Sequence, residues 1–302
     1  MKAVVLPEYG GPELLKVRDV PEPKPGAGEI EIKVAAASLN PVDWKQRSGA
    51  NKGRMPLTFP AILGRDASGT VVQVGPGVTS FRVGDKVLGR PASAHAEFAV
   101  GKAEEFALIP PGLDLVEAAA LPLVLLTGAQ LAEEATDARP GQKVLVTGAA
   151  GSVGRVAVYC AKARGATVYA GVRKAHKAKG GELGADAIIA LDDDAELEAL
   201  PQLDAIADTV GGDTIKKLLD KVISGGRIGS VLGKPEGAEA KGLQVFAFMT
   251  HGAPDRLAAL ARAVAEGKLM IPIAARFPFS HAADAHKLGE KGASGKILLT
   301  PA

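Results

Sequence analysis

Glycines 148, 151 and 154 stand three apart directly behind Val144, Leu145, Val146 and Thr147, and an apolar-periodic stretch through Val153, Val156, Ala157, Cys160 and Ala161 follows. This pattern predicts a buried strand that turns sharply into a helix. Each glycine has a physical task there. Gly148 permits the tight turn, Gly151 lets backbone N–H groups, with those of Ser152 and Val153, approach a pyrophosphate, and Gly154 lets helix and strand pack closely. The helix N-terminus adds the positive end of its dipole. The spacing is G-x-x-G-x-x-G where G-x-G-x-x-G is commoner, so context must carry the reading. Gly165-Ala166 and a second strand, Thr167–Ala170, supply it by closing a βαβ unit of about 30 residues.

The end of the second strand selects the cofactor. A carboxylate there would accept hydrogen bonds from the ribose 2′-hydroxyl of NAD. The sequence instead reads Gly171-Val172-Arg173-Lys174, with His176, Lys177 and Lys179 beyond and no acid before Glu182. The planar guanidinium of Arg173 and the point charges of Lys174 and Lys177 suit a 2′-phosphate, so NADPH is expected. The alternative is a solvated, basic start to the next segment.

These groups need a scaffold, and 302 residues exceed the ~250 to 300 at which one core splits in two. Residues 1–114 carry short alternating runs, Lys2–Leu6, Glu29–Ala36, Ala67–Val74, Lys86–Leu88 and Ala96–Val100, parted by turns rich in Pro and Gly. They predict a strand-rich, partly open barrel-like domain with few helices. From Leu115 the pattern changes to a helix over Val116–Glu134, then strands at 143–147, 167–171, 187–190, 204–208, 226–231 and 243–248, with the clearest intervening helix at 213–222. Six such strands fit a doubly wound sheet over 115–250. The acidic stretch Leu191–Leu200 reads as a solvated loop and helix start. A helix Pro254–Glu266, a strand within Ile271–Phe279, a short helix 281–290 and a strand Lys296–Thr300 follow a complete sheet. Residues 251–302 are therefore expected to return to the first domain, with the cofactor in the cleft between domains.

Hydrophobic residues make up 47% and charged residues 23% of the chain, the mixture of an ordinary globular protein. A net charge of +2, with basic residues spread along the chain, argues against nucleic acid as a partner. The longest apolar run, Ala118–Leu126, is interrupted by Pro122 and is too short to span a membrane. Met1-Lys2 leads straight into Ala3–Leu6 and Pro7, which has no signal-peptide pattern, so a cytoplasmic protein is expected. The one cysteine, Cys160, is expected to be a buried thiol on the apolar face of the glycine-motif helix.

Taken in order, several stretches resemble the zinc-free quinone and enone reductase branch of the medium-chain dehydrogenase/reductase superfamily. They are Ser38–Lys45 (S-L-N-P-V-D-W-K), Phe59–Gly69, Val83–Val87, Pro122–Gly128, the glycine motif, Leu183–Asp186, Asp208–Gly212, Gly225–Arg227 and Gly295–Leu299. The resemblance implies an α/β protein: a GroES-like β-rich catalytic domain (1–114, completed by 251–302) and a doubly wound Rossmann NADP-binding domain (115–250). Zinc alcohol dehydrogenases of the superfamily carry Cys near the position of Asn40 and a His-Glu pair where this chain has Arg65-Asp66. His95, His176, His251, His281 and His286 are scattered without ligand spacing, so no metal is expected.

Without zinc, the negative charge that hydride pushes onto a carbonyl oxygen must be met by hydrogen bonds or a cation. The resemblance makes Lys45 the candidate, with Asn40 as a polar positioner at the nicotinamide end. Asp43 is read as support for the loop, or as the N-cap of a helix beginning at Trp44. The same resemblance sets Thr127, Val210, Gly211, Gly233, Phe248 and Lys296 against the cofactor, and implies a homodimer paired through the sixth strands at Val245–Phe248. The expected activity is NADPH-dependent reduction of a quinone or an α,β-unsaturated carbonyl; the alternative is an NADPH-binding structural or redox-sensing protein with little turnover.

Overall fold

In the computed structural model, which describes residues 1–301 apart from the side chain of Lys179, the chain divides into two compact units. One joins Met1–Leu123 to Gly252–Ala302, and the other is Val124–His251. The unit edge falls after residue 123, where the sequence places it after 114.

The first unit opens with β1 (Lys2–Leu6), β2 (Lys16–Asp19) and β3 (Glu29–Leu39), then the short helix α1 (Pro41–Arg47). It continues with β4 (Ala61–Ile62), β5 (Ala67–Val74), β6 (Lys86–Gly89), β7 (Phe98–Lys102) and β8 (Phe106–Leu108). β3 is the central element, pairing antiparallel with both β5 and β7. Its Ile30, Ile32 and Val34 alternate into a core with Val71, Val87 and Phe106.

Helix α2 (Pro122–Gln130) carries the chain into the second unit. There follow β9 (Lys143–Thr147), α3 (Ser152–Ala163), β10 (Thr167–Val172), β11 (Ala187–Ala190), α4 (Asp194–Glu198), β12 (Leu203–Asp208), α5 (Gly212–Leu218), β13 (Val222–Ser230) and β14 (Gln244–Ala247). Every pairing is parallel, in the order β11-β10-β9-β12-β13-β14. That is the doubly wound order, with its reversal point between β9 and β12. These two central strands are covered on both faces, which is why Val144–Val146 and Ala205–Ala207 are unbroken apolar runs.

The helix expected over Val116–Glu134 is three pieces: a 3-10 turn at Glu117–Ala120, α2, and a π-helical turn at Leu131–Ala135. Pro122 has no N–H to give the preceding turn, and its ring crowds the carbonyl four residues back, so the helix must restart there.

The chain then returns to the first unit through α6 (Pro254–Ala265), β15 (Ile273–Pro278), α7 (Ala282–Glu290) and β16 (Lys296–Thr300). β16 lies antiparallel to β3, Ile297 opposite Leu39 and Leu299 opposite Ala37. This pairing extends β3 past Ala36, where the sequence reading ended it. Ile297 and Leu299 join Val4, Leu6, Leu39 and Phe279 in a second core of this unit.

Two of the supposedly scattered histidines also meet here. His95, ahead of β7, and His286 of α7 are fully buried, with their rings edge to face at 6.2 Å. Among the described residues, neither nitrogen of His95, nor Nε2 of His286, has a hydrogen-bond partner.

Candidate functional site

Helix α1 begins as the chemistry of helix ends requires. Asn40 is extended, Pro41 occupies the first helical position where no N–H is needed, and Asp43 Oδ2 accepts the Asn40 N–H at 2.8 Å. Asp43 is thus the third helical residue and not a cap before Trp44. The other end of α1 is held by Arg47, which donates to Gly10 O (3.0 Å) and to Glu290 Oε1 of α7 (2.6 Å) and approaches His286 Nδ1 (3.4 Å). Lys45 lies between these two anchors. It is half-buried, and its ammonium makes no hydrogen bond or ion pair among the described residues.

The start of α1 rests on a buried polar network centred on Asp66. Its Oδ1 accepts the Leu123 N–H (2.8 Å), and its Oδ2 accepts Ser38 Oγ (3.0 Å) and Asn40 Nδ2 (2.8 Å). The Lys296 ammonium stands 3.6 Å from Oδ2 and donates to Asn40 Oδ1 (2.6 Å) and Leu39 O (3.0 Å). The side chains of Asp66 and Lys296 are only 0% and 5% exposed. Lys296, expected at the cofactor, therefore directs its donors into this network. Asp43 is also fully buried; its Oδ1 has no partner among the described residues, and burial pushes its carboxyl up to about 7 although the Asn40 N–H pulls it down. Burial pushes the Lys296 ammonium down, while the charges of Asp66 and Asp43 hold it up.

In the second unit the glycine motif forms the turn from β9 into α3. Gly148 takes φ +64°, and a Cβ on Gly154 would come within 2.2 Å of Gly148 O. At Gly154, helix α3 thus packs directly on the turn that leads into it. Gly151 stands at the N-cap, and Ser152 and Val153 open the helix. Thr127 is nearly buried and shares a 2.6 Å hydrogen bond with Thr250. Past β12, Asp208 Oδ1 accepts Thr147 Oγ1 (2.8 Å) and the N–H groups of Val210 (3.1 Å) and Gly211 (3.0 Å), fixing that loop beside the glycine turn. Gly233 follows β13 at φ +113°, and Phe248 lies one residue beyond β14. Phe246, two residues before Phe248, stacks under Arg227, whose Cζ is 4.0 Å from the ring centroid.

At the end of β10 the lysines are not free as expected. Lys174 Nζ is 2.9 Å from Asp193 Oδ2, and Lys177 Nζ is 2.5 Å from Glu196 Oε1. Arg173 is exposed and has no ion-pair partner among the described residues. Gly171 accepts the Ala149 N–H at 3.0 Å, which joins the glycine turn to this end of β10. The Lys179 side chain lies outside the described residues. The acidic run read as merely solvated thus reaches the lysines through the fold; its distance in sequence concealed it.

Residues 26–115 match the alcohol dehydrogenase GroES-like domain and residues 183–299 the zinc-binding dehydrogenase model. A quinone oxidoreductase of Pseudomonas aeruginosa is 31% identical over 99% of this chain and 99% of its own. The chain belongs to the quinone oxidoreductase branch of the medium-chain dehydrogenase/reductase superfamily. Another member, the chloroplastic NADPH-dependent alkenal/one oxidoreductase of Arabidopsis thaliana, is 33% identical over 100% of this chain and 80% of its own. The quinone oxidoreductase structure from Coxiella burnetii superposes with a TM-score of 0.90 at 32% identity, covering 100% of this chain and 99% of that one. The fold is that of an oxidoreductase that binds a pyridine nucleotide and acts on a small molecule.

Two predictions concern the buried charges of this oxidoreductase. Lys296→Met should destabilise the cofactor-free protein by about 3–5 kcal/mol in denaturant titration, because Asp66 is left buried without its counter-charge. Adding Asp66→Asn should recover part of the loss. Unchanged stability in Lys296→Met would return the lysine to a purely cofactor-binding role.

The second concerns pH. Burial pushes His95 down to about 4 and, with the charges of His95 and Arg47 nearby, His286 down to about 2. Unfolded histidines titrate near ~6.5, so the stability from these two is complete above that pH and is lost as pH falls below it. Asp43, raised to about 7, acts oppositely: its contribution is lost as pH rises through that value. Two protons against one leave a net loss of about 1.4 kcal/mol per pH unit as pH falls from ~6.5 toward 5. The melting temperature should fall across that window, and more steeply in Asp43→Asn; a flat profile would mean that the buried histidines carry charge.

Proposed function

We propose that this oxidoreductase transfers hydride from NADPH to a quinone or an α,β-unsaturated carbonyl without a metal, and that Lys45 stabilises the oxyanion formed. The observation that carries this reading is the half-buried, unpaired ammonium of Lys45 on a helix fixed at both ends. The nicotinamide, when bound, supplies the hydride. As it arrives at a quinone, or at the β-carbon of an enone, negative charge collects on the carbonyl oxygen. An ammonium already paired with a carboxylate would have to give that partner up, whereas Lys45 has none to lose among the described residues. Asn40 and Asp43 act by fixing the start of α1, since the side chain of one is engaged by Asp66 and Lys296 and the other holds the Asn40 N–H.

The residues present suit a pyridine nucleotide. The turn leaves no room for side chains at Gly148 and Gly154 and little at Gly151, and the N–H groups of Ser152 and Val153 at the head of α3 would receive the pyrophosphate. Arg173 would receive the 2′-phosphate, and Thr127, Gly171, Val210, Gly211, Gly233 and Phe248 would line the remainder. The name of the Arabidopsis relative supports NADPH and an alkenal or enone acceptor; that of the Pseudomonas relative supports a quinone.

The residues do not suit zinc. Asn40 and Asp66 have their side chains committed to one another and to Lys296, Arg65 is a cation, and no group of three or more His, Cys, Asp or Glu gathers among the described residues.

Lys45→Met keeps much of the apolar stem and removes the charge. It should lower turnover by about 10²–10³, the range for one oxyanion-stabilising donor, with NADPH affinity little changed. Lys52→Met, a nearby exposed control, should be silent. Equal activity in wild type and Lys45→Met, on an acceptor the wild type reduces well, would remove Lys45 from the chemistry. Prolonged dialysis against EDTA should leave activity and melting temperature unchanged, and a fall in either would reveal a metal.

A further inference from the structure

The nucleotide end of the second unit has a charge arrangement that the basic sequence after β10 does not disclose. Three hydrogen bonds from backbone N–H groups, two to backbone carbonyls and one to a side-chain carboxylate, lock its parts together. Ala149 N–H donates to Gly171 O (3.0 Å), Leu191 N–H to Val172 O (2.8 Å), and Lys174 N–H to Asp192 Oδ1 (2.6 Å). The loop from β11 into α4 is thereby held beside the end of β10. Asp193 at the end of this loop and Glu196 in the first turn of α4 meet Lys174 and Lys177.

In both ion pairs the carboxylate is the fixed partner. Asp193 Oδ1 accepts the Glu196 N–H at 3.4 Å as the cap of α4, and its other oxygen takes Lys174. Glu196 Oε2 accepts the Ala190 N–H at 2.8 Å, and its other oxygen takes Lys177. The acids are 22% and 26% exposed, whereas the lysines that meet them are 69% and 43% exposed. A lysine can swing away; its partner cannot.

We propose that Asp193 and Glu196 are specificity-determining residues that restrain the preference for NADPH over NADH by holding Lys174 and Lys177 in closed ion pairs. The proposal rests on the cofactor reading above. A 2′-phosphate reaching this end of β10 meets one open cation among the described residues, Arg173. To recruit either lysine it must break an ion pair and leave a fixed carboxylate facing a dianion, a repulsion that offsets much of the gain. A 2′-hydroxyl meets no such repulsion and can donate to a carboxylate. The arrangement therefore gives a moderate NADPH preference resting on Arg173, with NADH still accepted.

The experiment measures dissociation constants for NADPH and NADH, at fixed ionic strength, for four forms of the full chain: wild type, Arg173→Ala, Glu196→Gln, and Asp193→Asn with Glu196→Gln. The amides keep oxygens that can accept the Glu196 and Ala190 N–H groups, and the single variant tests the proposal should the double one fold poorly. The double amide is expected to raise the NADPH-to-NADH affinity ratio about five- to tenfold, the scale of a screened surface charge, with Glu196→Gln intermediate. Nearly all of the change should fall on NADPH. A wild type that favours NADPH through Arg173, but whose ratio stays within about twofold in the amide variants, would overturn the role given to the carboxylates and leave the cofactor reading intact. A wild type that binds NADPH no better than NADH, with Arg173→Ala silent, would overturn the cofactor reading and this proposal with it.

Discussion

A carboxylate shut away from water must be answered by donors, and Asp66 is answered by Ser38, Asn40, Leu123 and Lys296 together. Removing two opposite charges from water costs several kcal/mol per ion and is tolerated only where geometry and further hydrogen bonds offset it. The cost imposes order. The end of β3, the head of α1, the chain entering α2 and the start of β16 must all be placed together, or some buried polar atom is left without a partner. The direction in which α1 leaves β3 follows from that requirement, and with it the position of Lys45.

The fold was legible where one physical rule dominates. The central strands of the second unit, β9 and β12, are buried on both faces, so their apolar runs fix their places within a residue or two; β11 also falls where the sequence puts it, while β13 starts four residues early. β2, β4 and β8 were missed: two to four residues each, they are too short to show a period and exist through pairing with β1 and β6. Helix α1 had a readable start, Asn40-Pro41 with Asp43 three residues on, but the sequence alone left Asp43 open between loop support and the cap of a helix beginning at Trp44.

The site was legible where local chemistry suffices and obscure where function depends on partners distant in sequence. Gly148 and Gly154 announce a tight turn because a Cβ there has nowhere to go. Lys174 and Lys296, by contrast, are indistinguishable from free lysines until the fold brings Asp193 to one and Asp66 to the other. The same holds for His95 and His286, separated along the chain and adjacent in the core. A sequence displays its charges; whether a charge is available for chemistry is decided by its neighbours.

The return of the C-terminal segment has a consequence for how the protein is made. The hydrogen bond from Lys296 to Asn40 spans 256 positions. A ribosome delivers the contiguous second unit, Val124–His251, in full before the first unit receives β15 and β16. Until then Ala37–Leu39 present an open strand edge, and Asp66 waits without its cation. The nascent chain therefore matures from the middle outward, and its N-terminal half is the part most in need of shelter from aggregation during translation.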